Sequence, residues 1–246
     1  MSATIGEHEQ FLNGPLTDGL PSFVTAAHEL KSPLVLIRQL SLSLENNNIS
    51  ANDQKSMLRQ ISLTSERALR LTSDLTRSIR LSDALFELEP INPGQLCEEI
   101  ICDLEPLFSA HNRDIKLVFR KNPLLLVANR DLLRRIIMNF SDNALYYAQS
   151  NTAVEINIGR INGGQTVRLG VRDYGPSLPS DVLAELYTRL PITATTIHDR
   201  PQSSGLGLYI ANQFASSMNG KIGVTRHRDG STFYIDLQAS RQLSLL

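Results

Sequence analysis

No apolar run in this 246-residue chain approaches the ~20 residues of a membrane-spanning helix, so no membrane span is expected. The first twenty residues lack a basic stretch followed by an apolar core, the pattern of a secretion signal. The expected location is therefore cytoplasmic. Surplus charge is missing too. Lys and Arg number 24 against 25 Asp and Glu, a formal net charge of -1, which gives no reason to expect a nucleic-acid partner. Cysteine is scarce: Cys97 and Cys102 stand five apart on an expected helix and point to different sides. That suits neither a disulfide nor a metal pair, and both are expected as ordinary buried thiols. The five histidines are scattered without metal-ligand spacing. Internal repeats and low-complexity tracts are absent. What is there, 41% apolar and 20% charged residues, fits a soluble globular chain long enough for one or two domains.

Residues 1–16 are polar, with Gly6, Gly14 and Pro15, and read as a loose tail. A helix is expected from Thr17 or Asp18 to about Glu45, stopped by Asn46-Asn47-Asn48, because asparagine favours turns over helix interiors. Ser50 or Asn52 would cap the next helix. There Met57, Ile61, Thr64, Ala68, Leu71, Leu75, Ser78, Ser82 and Leu85 follow alternating steps of four and three, a heptad seam. Ala27, Leu30, Leu34, Ile37 and Leu44 match it on the first helix. Residues 17–89 thus read as an all-α helical hairpin. One hairpin cannot cover both apolar stripes, so a second copy is expected, making a dimeric four-helix bundle.

Glu87 to Pro93 reads as a linker with an extended stretch between two prolines. Residues 90–240 then mix helix and strand. Helices are expected at Pro93–Ala110, Asp131–Ala148 and Ser204–Asn219, and strands near Ile115–Phe119, Leu124–Val127, Val154–Ile158, Val167–Val171, Lys221–Thr225 and Thr232–Leu237. Asn162-Gly163-Gly164 and Asp229-Gly230 mark hairpin turns. This order implies an α+β two-layer sandwich.

Four clusters carry chemistry. In Ala27-His28-Glu29-Leu30-Lys31-Ser32-Pro33-Leu34 an imidazole stands next to a carboxylate that could take its proton, one step off the seam and so facing outward. Asn139 and Asn143 are four apart and share a helix face, where amides can hold magnesium and phosphate oxygens. Asp173, followed by Gly175, ends an apolar strand, where a carboxylate can accept from an exocyclic amine and a glycine leaves room for a ligand. Gly205-Leu206-Gly207-Leu208 opens a helix, whose N-terminal N–H groups and dipole favour phosphate. Before it, Pro191–Ser203 is a long hydroxyl-rich stretch that reads as a lid.

In this order and at these spacings the clusters resemble the core of bacterial two-component histidine kinases over about residues 17–240, and the second domain resembles the ATPase fold those kinases share with gyrase, a heat-shock chaperone and mismatch-repair ATPases. Val127, Asp131 and Leu132, Gly220-Lys221-Ile222 and Gly230-Ser231-Thr232-Phe233 add to the likeness. The resemblance implies an ATP-dependent histidine autokinase. His28 would be the phosphoacceptor and Glu29 its general base. Asn143, with Asn139, would hold Mg and phosphates, Asp173 would read adenine, Gly175 would give the base room, and Gly205 to Leu208 would close over the triphosphate. Pro33 would bend the first helix, and Ser32 stands where a phosphatase-related Thr or Asn is usual. The phosphoryl group would pass to the aspartate of a response-regulator receiver domain. Input would come from an upstream sensor protein, a segment not in this sequence, or the homodimer itself. Three positions depart from the pattern: Tyr146 replaces a common cation, and Ser177 and Ser203 replace glycines. They motivate an alternative, a histidine phosphotransfer protein with a degenerate ATP domain.

Overall fold

A computed structural model describes residues 10–11, 23–45, 49–79, 87–119, 125–149, 152–177 and 206–241. A short strand, β1 (Gln10–Phe11), is followed by two long helices, α1 (Phe23–Leu44) and α2 (Ala51–Ile79), which pack as a hairpin. Ser50 caps α2: its Oγ accepts from the Asp53 N–H at 3.2 Å and donates to Asp53 Oδ2 at 2.7 Å. This reciprocal pair satisfies a donor that the helix start leaves open. Pro33 lies inside α1 and has no N–H to offer the carbonyl of Glu29 four residues back. Leu30, Ile37 and Leu44, with Met57, Ile61, Thr64, Ala68, Leu71 and Leu75, are half-buried, as the seam requires. Leu34 departs from it: it is 59% exposed, as are Leu58 and Leu69 on α2 at 53% and 68%. Asn46 to Asn48, Ser82 and Leu85 lie outside the described residues.

The extended stretch expected between the prolines is strand β2 (Glu89–Ile91), which pairs antiparallel with β4 (Leu126–Ala128) once α3 (Pro93–Ala110) and β3 (Ile115–Phe119) have intervened. Asn92 caps α3, its Oδ1 accepting from the N–H groups of Gly94 and Gln95 at 3.0 and 3.3 Å, and Pro93 takes the first helical position, where no donor is missed. Then follow α4 (Arg130–Tyr147), β5 (Val154–Ile161), β6 (Thr166–Asp173), α5 (Leu206–Ser217), β7 (Lys221–His227) and β8 (Gly230–Gln238). Asn162, Gly163 and Gly164 have φ of 51°, 65° and 88°, the left-handed geometry of the turn between β5 and β6.

The main sheet runs β1-β7-β8-β6-β5-β3, with β3 parallel to β5 and the other pairs antiparallel. Strand β1 (Gln10–Phe11), inside the segment read as a tail, adds to the edge of β7. Helices α3, α4 and α5 cover one face, so the domain is an α+β sandwich with a mixed sheet. Leu96 and Ile100 of α3, Ile136 and Phe140 of α4, and Phe214 of α5 are fully buried with Ile156, Leu169 and Ile235 of the strands. Cys97 joins this core, where burial pushes its thiol up to about 12. Cys102 corrects the expectation of two buried thiols, for it is exposed. Five residues turn a helix by roughly 140°, so both cannot face the sheet.

On the opposite sheet face, Arg168 of β6 lies across from Asp236 of β8 and grips it with two hydrogen bonds, Nε at 2.7 Å and Nη2 at 2.9 Å. The same guanidinium covers the Tyr234 ring, 3.7 Å from its centroid. Asp236 is buried, so removing its partner leaves an uncompensated charge. Arg168→Ala is expected to cost on the order of 3 kcal/mol of stability, read as a lower urea midpoint at unchanged slope. A midpoint within error of wild type would refute that role.

Candidate nucleotide-binding site

The site is assembled from the inner ends of α4, β6 and α5. Asn129 starts α4, accepting from the Leu132 N–H at 3.1 Å, and the buried ridge Leu133, Ile136, Ile137 and Phe140 fixes which way the helix faces. Asn139 and Asn143 then fall on the half-buried side. Asn139 Nδ2 donates to the Gly207 carbonyl at 3.5 Å, joining α4 to the first turn of α5. Among the described residues, a methyl group at Gly207 would meet only this amide, at 3.9 and 4.0 Å. Packing among them therefore does not demand the glycine. Leu208 is buried under the turn. Leu206 opens α5, and its side chain is not among those described; Gly205 and the expected lid, with Ser203, lie outside the described residues.

Asp173 is the last residue of β6, 2% exposed, opposite Ser231 of β8. Ser231 Oγ donates to its Oδ2, which fixes the carboxylate. Burial pushes the Asp173 carboxyl above the ordinary carboxylate range, against the hydrogen bonds from Ser231 and the nearby charge of Arg172. Arg172, also buried, stacks on Tyr174 with 4.5 Å to the ring centroid and donates to the Asp173 carbonyl, the Ser231 carbonyl and Asp229 Oδ1. It thereby ties the end of β6 to the turn between β7 and β8. Gly230 sits at φ +132°, and a Cβ there would lie 2.2 Å from the Asp173 carbonyl oxygen. Sequence reasoning marked Gly230 and Ser231 but not their grip on Asp173, a residue 58 positions away.

Gly175 has a structural reason of its own. A Cβ there would stand 2.0 Å from the Tyr147 carbonyl oxygen, so the glycine is needed where the end of α4 crosses the loop after β6. The Gln149 N–H, donating to the Tyr174 carbonyl at 2.7 Å, holds the same crossing. Ser177, where the resemblance has glycine, accepts from Arg226 Nε at 2.8 Å. Among the described residues no group of three His, Cys, Asp or Glu could hold a metal. Magnesium needs no such group when phosphates supply most of its oxygens. The half-buried amides of Asn139 and Asn143, the first of them bonded to Gly207, fit that arrangement.

His28 and Glu29 lie on α1, and their side chains are outside those described; so is that of Tyr146 on α4. Ser32 is exposed on α1. Both hairpin helices touch α5, which brings the helix that carries His28 against the element that carries Gly207. No described helix is long and apolar enough to cross a membrane.

Residues 128–241 match the family model of the histidine kinase-, DNA gyrase B- and HSP90-like ATPase. The histidine protein kinase SaeS of Staphylococcus epidermidis is 28% identical over 217 residues, which cover 86% of this chain and 61% of that protein. This chain thus spans about three-fifths of that relative. Two solved structures share the fold, each with a TM-score of 0.60. Full-length ShkA in complex with AMPPNP is 20% identical, covering 91% of this chain and 48% of its own. The histidine kinase ThkA in complex with the response regulator TrrA is 18% identical, covering 88% and 60%. The ATPase match at residues 128–241, the 28% identical relative and the shared fold make the chain similar to histidine kinase catalytic cores.

Proposed function

We propose that the protein is an ATP-dependent histidine autokinase of a two-component system. Mg-ATP would sit between α4, β6 and α5, with Asp173 accepting from the adenine amine, Asn139 and Asn143 on the phosphate side, and Gly205 to Leu208 closing over the triphosphate. Asn143, helped by Asn139, would hold the magnesium, which supplies charge neutralisation for the phosphates. The observation that carries the reading is the meeting of Asn139 with Gly207 across α4 and α5. The domains are read as a tail at 1–16, a phosphoacceptor hairpin at 17–89 and the ATP domain at 90–240.

In the transfer, His28 must be neutral to attack, and Glu29 next to it would take its proton. The rest is positioning. Pro33, one turn on, weakens the backbone ladder at Glu29 and would let α1 bend there. The phosphoryl group would then move to the aspartate of a response-regulator receiver domain, with Ser32, exposed on α1, placed for hydrolysis of that aspartyl phosphate by water. A relative of the same fold is known bound to a response regulator, which supports this partner class. A homodimer would cover Leu34, Leu58 and Leu69, which a single hairpin leaves in water. A cytoplasmic site gives access to ATP. The alternative, a phosphotransfer protein with a decayed ATP domain, draws no support from the site: Asp173 keeps its serine, and Ser177 has a hydrogen-bonding role of its own.

Incubated with magnesium and γ-labelled ATP, the wild type is expected to take up acid-labile, alkali-stable label. His28→Ala should abolish it, and Asn143→Ala should slow it by about 100-fold, ~2.7 kcal/mol of barrier. Wild type that stays unlabelled and shows no ATP heat in calorimetry would overturn the kinase reading.

Asp173→Asn keeps the shape and removes the titration. A carboxyl raised on folding stabilises below its unfolded pKa and loses that contribution as pH rises through the folded value. The stability of wild type relative to the variant should therefore fall as pH climbs out of the ordinary carboxylate range, then level off. Urea denaturation at a series of pH values reads this difference, and a pH-independent one refutes it. The same variant should bind ATP about tenfold or more weakly, from loss of a hydrogen bond to a charged group.

A further inference from the structure

Helix α2 meets α4 through charge. Arg135 of α4 pairs with Asp74 of α2, and Arg67 Nε and Arg70 Nη2 of α2 lie 3.7 and 3.8 Å from Oδ2 of Asp142, the residue before Asn143. Neither of these last two separations is hydrogen-bond contact. Asp142 is 8% exposed, and its Oδ1 has no hydrogen-bond partner. The side chains of Arg67 and Arg70 are about a third exposed, at 31% and 32%. Among the described ion pairs, three guanidiniums thus face two carboxylates across α2 and α4, next to Asn143 in the sequence. The proposed ligands Asn139 and Asn143 are neutral amides, while a triphosphate carries several negative charges, and phosphoryl transfer depends on neutralising them. Tyr146, three residues after Asn143, adds no charge.

Height along the hairpin points the same way. Antiparallel helices that turn at residues 45–50 and rise equally per residue bring His28 level with about residue 67. Arg67 and Arg70 therefore stand on α2 at the height of the phosphoacceptor, with their heads at the Asn-bearing turn of α4.

Resting on the nucleotide site read above, we propose that Arg67 and Arg70 are the phosphate-neutralising cations of this active site, parked on Asp142 until the γ-phosphoryl group takes its place. In the step they serve, the bond between the His28 imidazole nitrogen and the γ-phosphorus forms. The bond from that phosphorus to the β–γ bridging oxygen breaks, its electron pair leaves on ADP, and the imidazole proton passes to Glu29. The arginines exchange no proton. They hold charge on the transferring group, and the hairpin supplies both the acceptor and the cations.

The full chain tests this in wild type and three variants: Arg67→Ala with Arg70→Ala, Arg67→Lys with Arg70→Lys, and Asp142→Asn. ATP and ADP affinity are measured by calorimetry, and His28 labelling at saturating ATP. The double alanine variant is expected to label roughly 100-fold more slowly and to lose its preference for ATP over ADP, while ADP binding stays within about twofold. Lysine should restore part of the rate, and Asp142→Asn, which frees the arginines, should strengthen the preference for ATP. The inference is overturned if the double alanine variant labels at the wild-type rate. It is equally overturned if Asp142→Asn reproduces the alanine defect, since the pairs would then only join the domains. If the alanine variant does not fold, a lysine pair with unchanged ATP preference and rate decides against it too. Wild type that binds neither nucleotide sinks the kinase reading along with it, whereas normal labelling of wild type and double alanine alike sinks this inference alone.

Discussion

The antiparallel ladder between β6 and β8 is the constraint on which the rest of the ATP domain depends. Its register runs from Thr166 opposite Gln238 to Asp173 opposite Ser231. One register decides everything along it: Arg168 faces Asp236, Gly170 faces Tyr234, and the last rung delivers a serine hydroxyl to the carboxylate of Asp173. A slip of one residue would turn each of these side chains to the other face of the sheet. The Arg168–Asp236 grip at one end and the Arg172 hydrogen bonds at the other pin that register from both sides. The candidate adenine contact is thus a product of sheet pairing, not of the loop that follows it.

Burying Asp173 is costly, and the fold offsets the cost locally. Desolvation disfavours its charge, and Ser231 and Arg172 restore part of it. With Ser231 donating to Oδ2, the position of the carboxylate is fixed before any ligand arrives. A preset acceptor needs no side-chain ordering on binding, which is where affinity is otherwise lost.

Much of the fold was legible because its signals are local. Pro93 announced the start of α3, Ser50 or Asn52 the start of α2, and the alternation at Val154, Ile156 and Ile158 the buried face of β5. Periodicity names a face, however, and not its partner. It could not tell that Leu34, on the seam, would be left exposed in one chain, or that Cys102 would face water while Cys97 faced the core. The parallel pairing of β3 with β5 and the strand at Gln10–Phe11 rest on contacts between distant segments. At the site, the residue types were readable but their reasons were not. Gly175 looked like room for a ligand, yet the Tyr147 carbonyl occupies the place of its side chain, a clash no spacing rule can reveal.

The junction between hairpin and ATP domain follows a different economy from the core. Leu63, Leu71 and Leu75 of α2 lie against the domain, but the specific contacts there are ionic, and Arg59 adds a donor to the Pro106 carbonyl at 3.3 Å. Partly exposed ion pairs contribute only about 0–1 kcal/mol each, because water competes for both partners. Asp74, 5% exposed, is the deeper anchor, since separating it from Arg135 would leave a desolvated charge behind. A junction built this way holds one orientation while the loose pairs at Asp142 remain easy to exchange. An apolar interface of the same extent would have to expose its surface to water whenever the domains part. The loose pairs at Asp142 can pass to another anion at small cost while Asp74 holds, which would suit the proposed transfer from bound nucleotide to an imidazole.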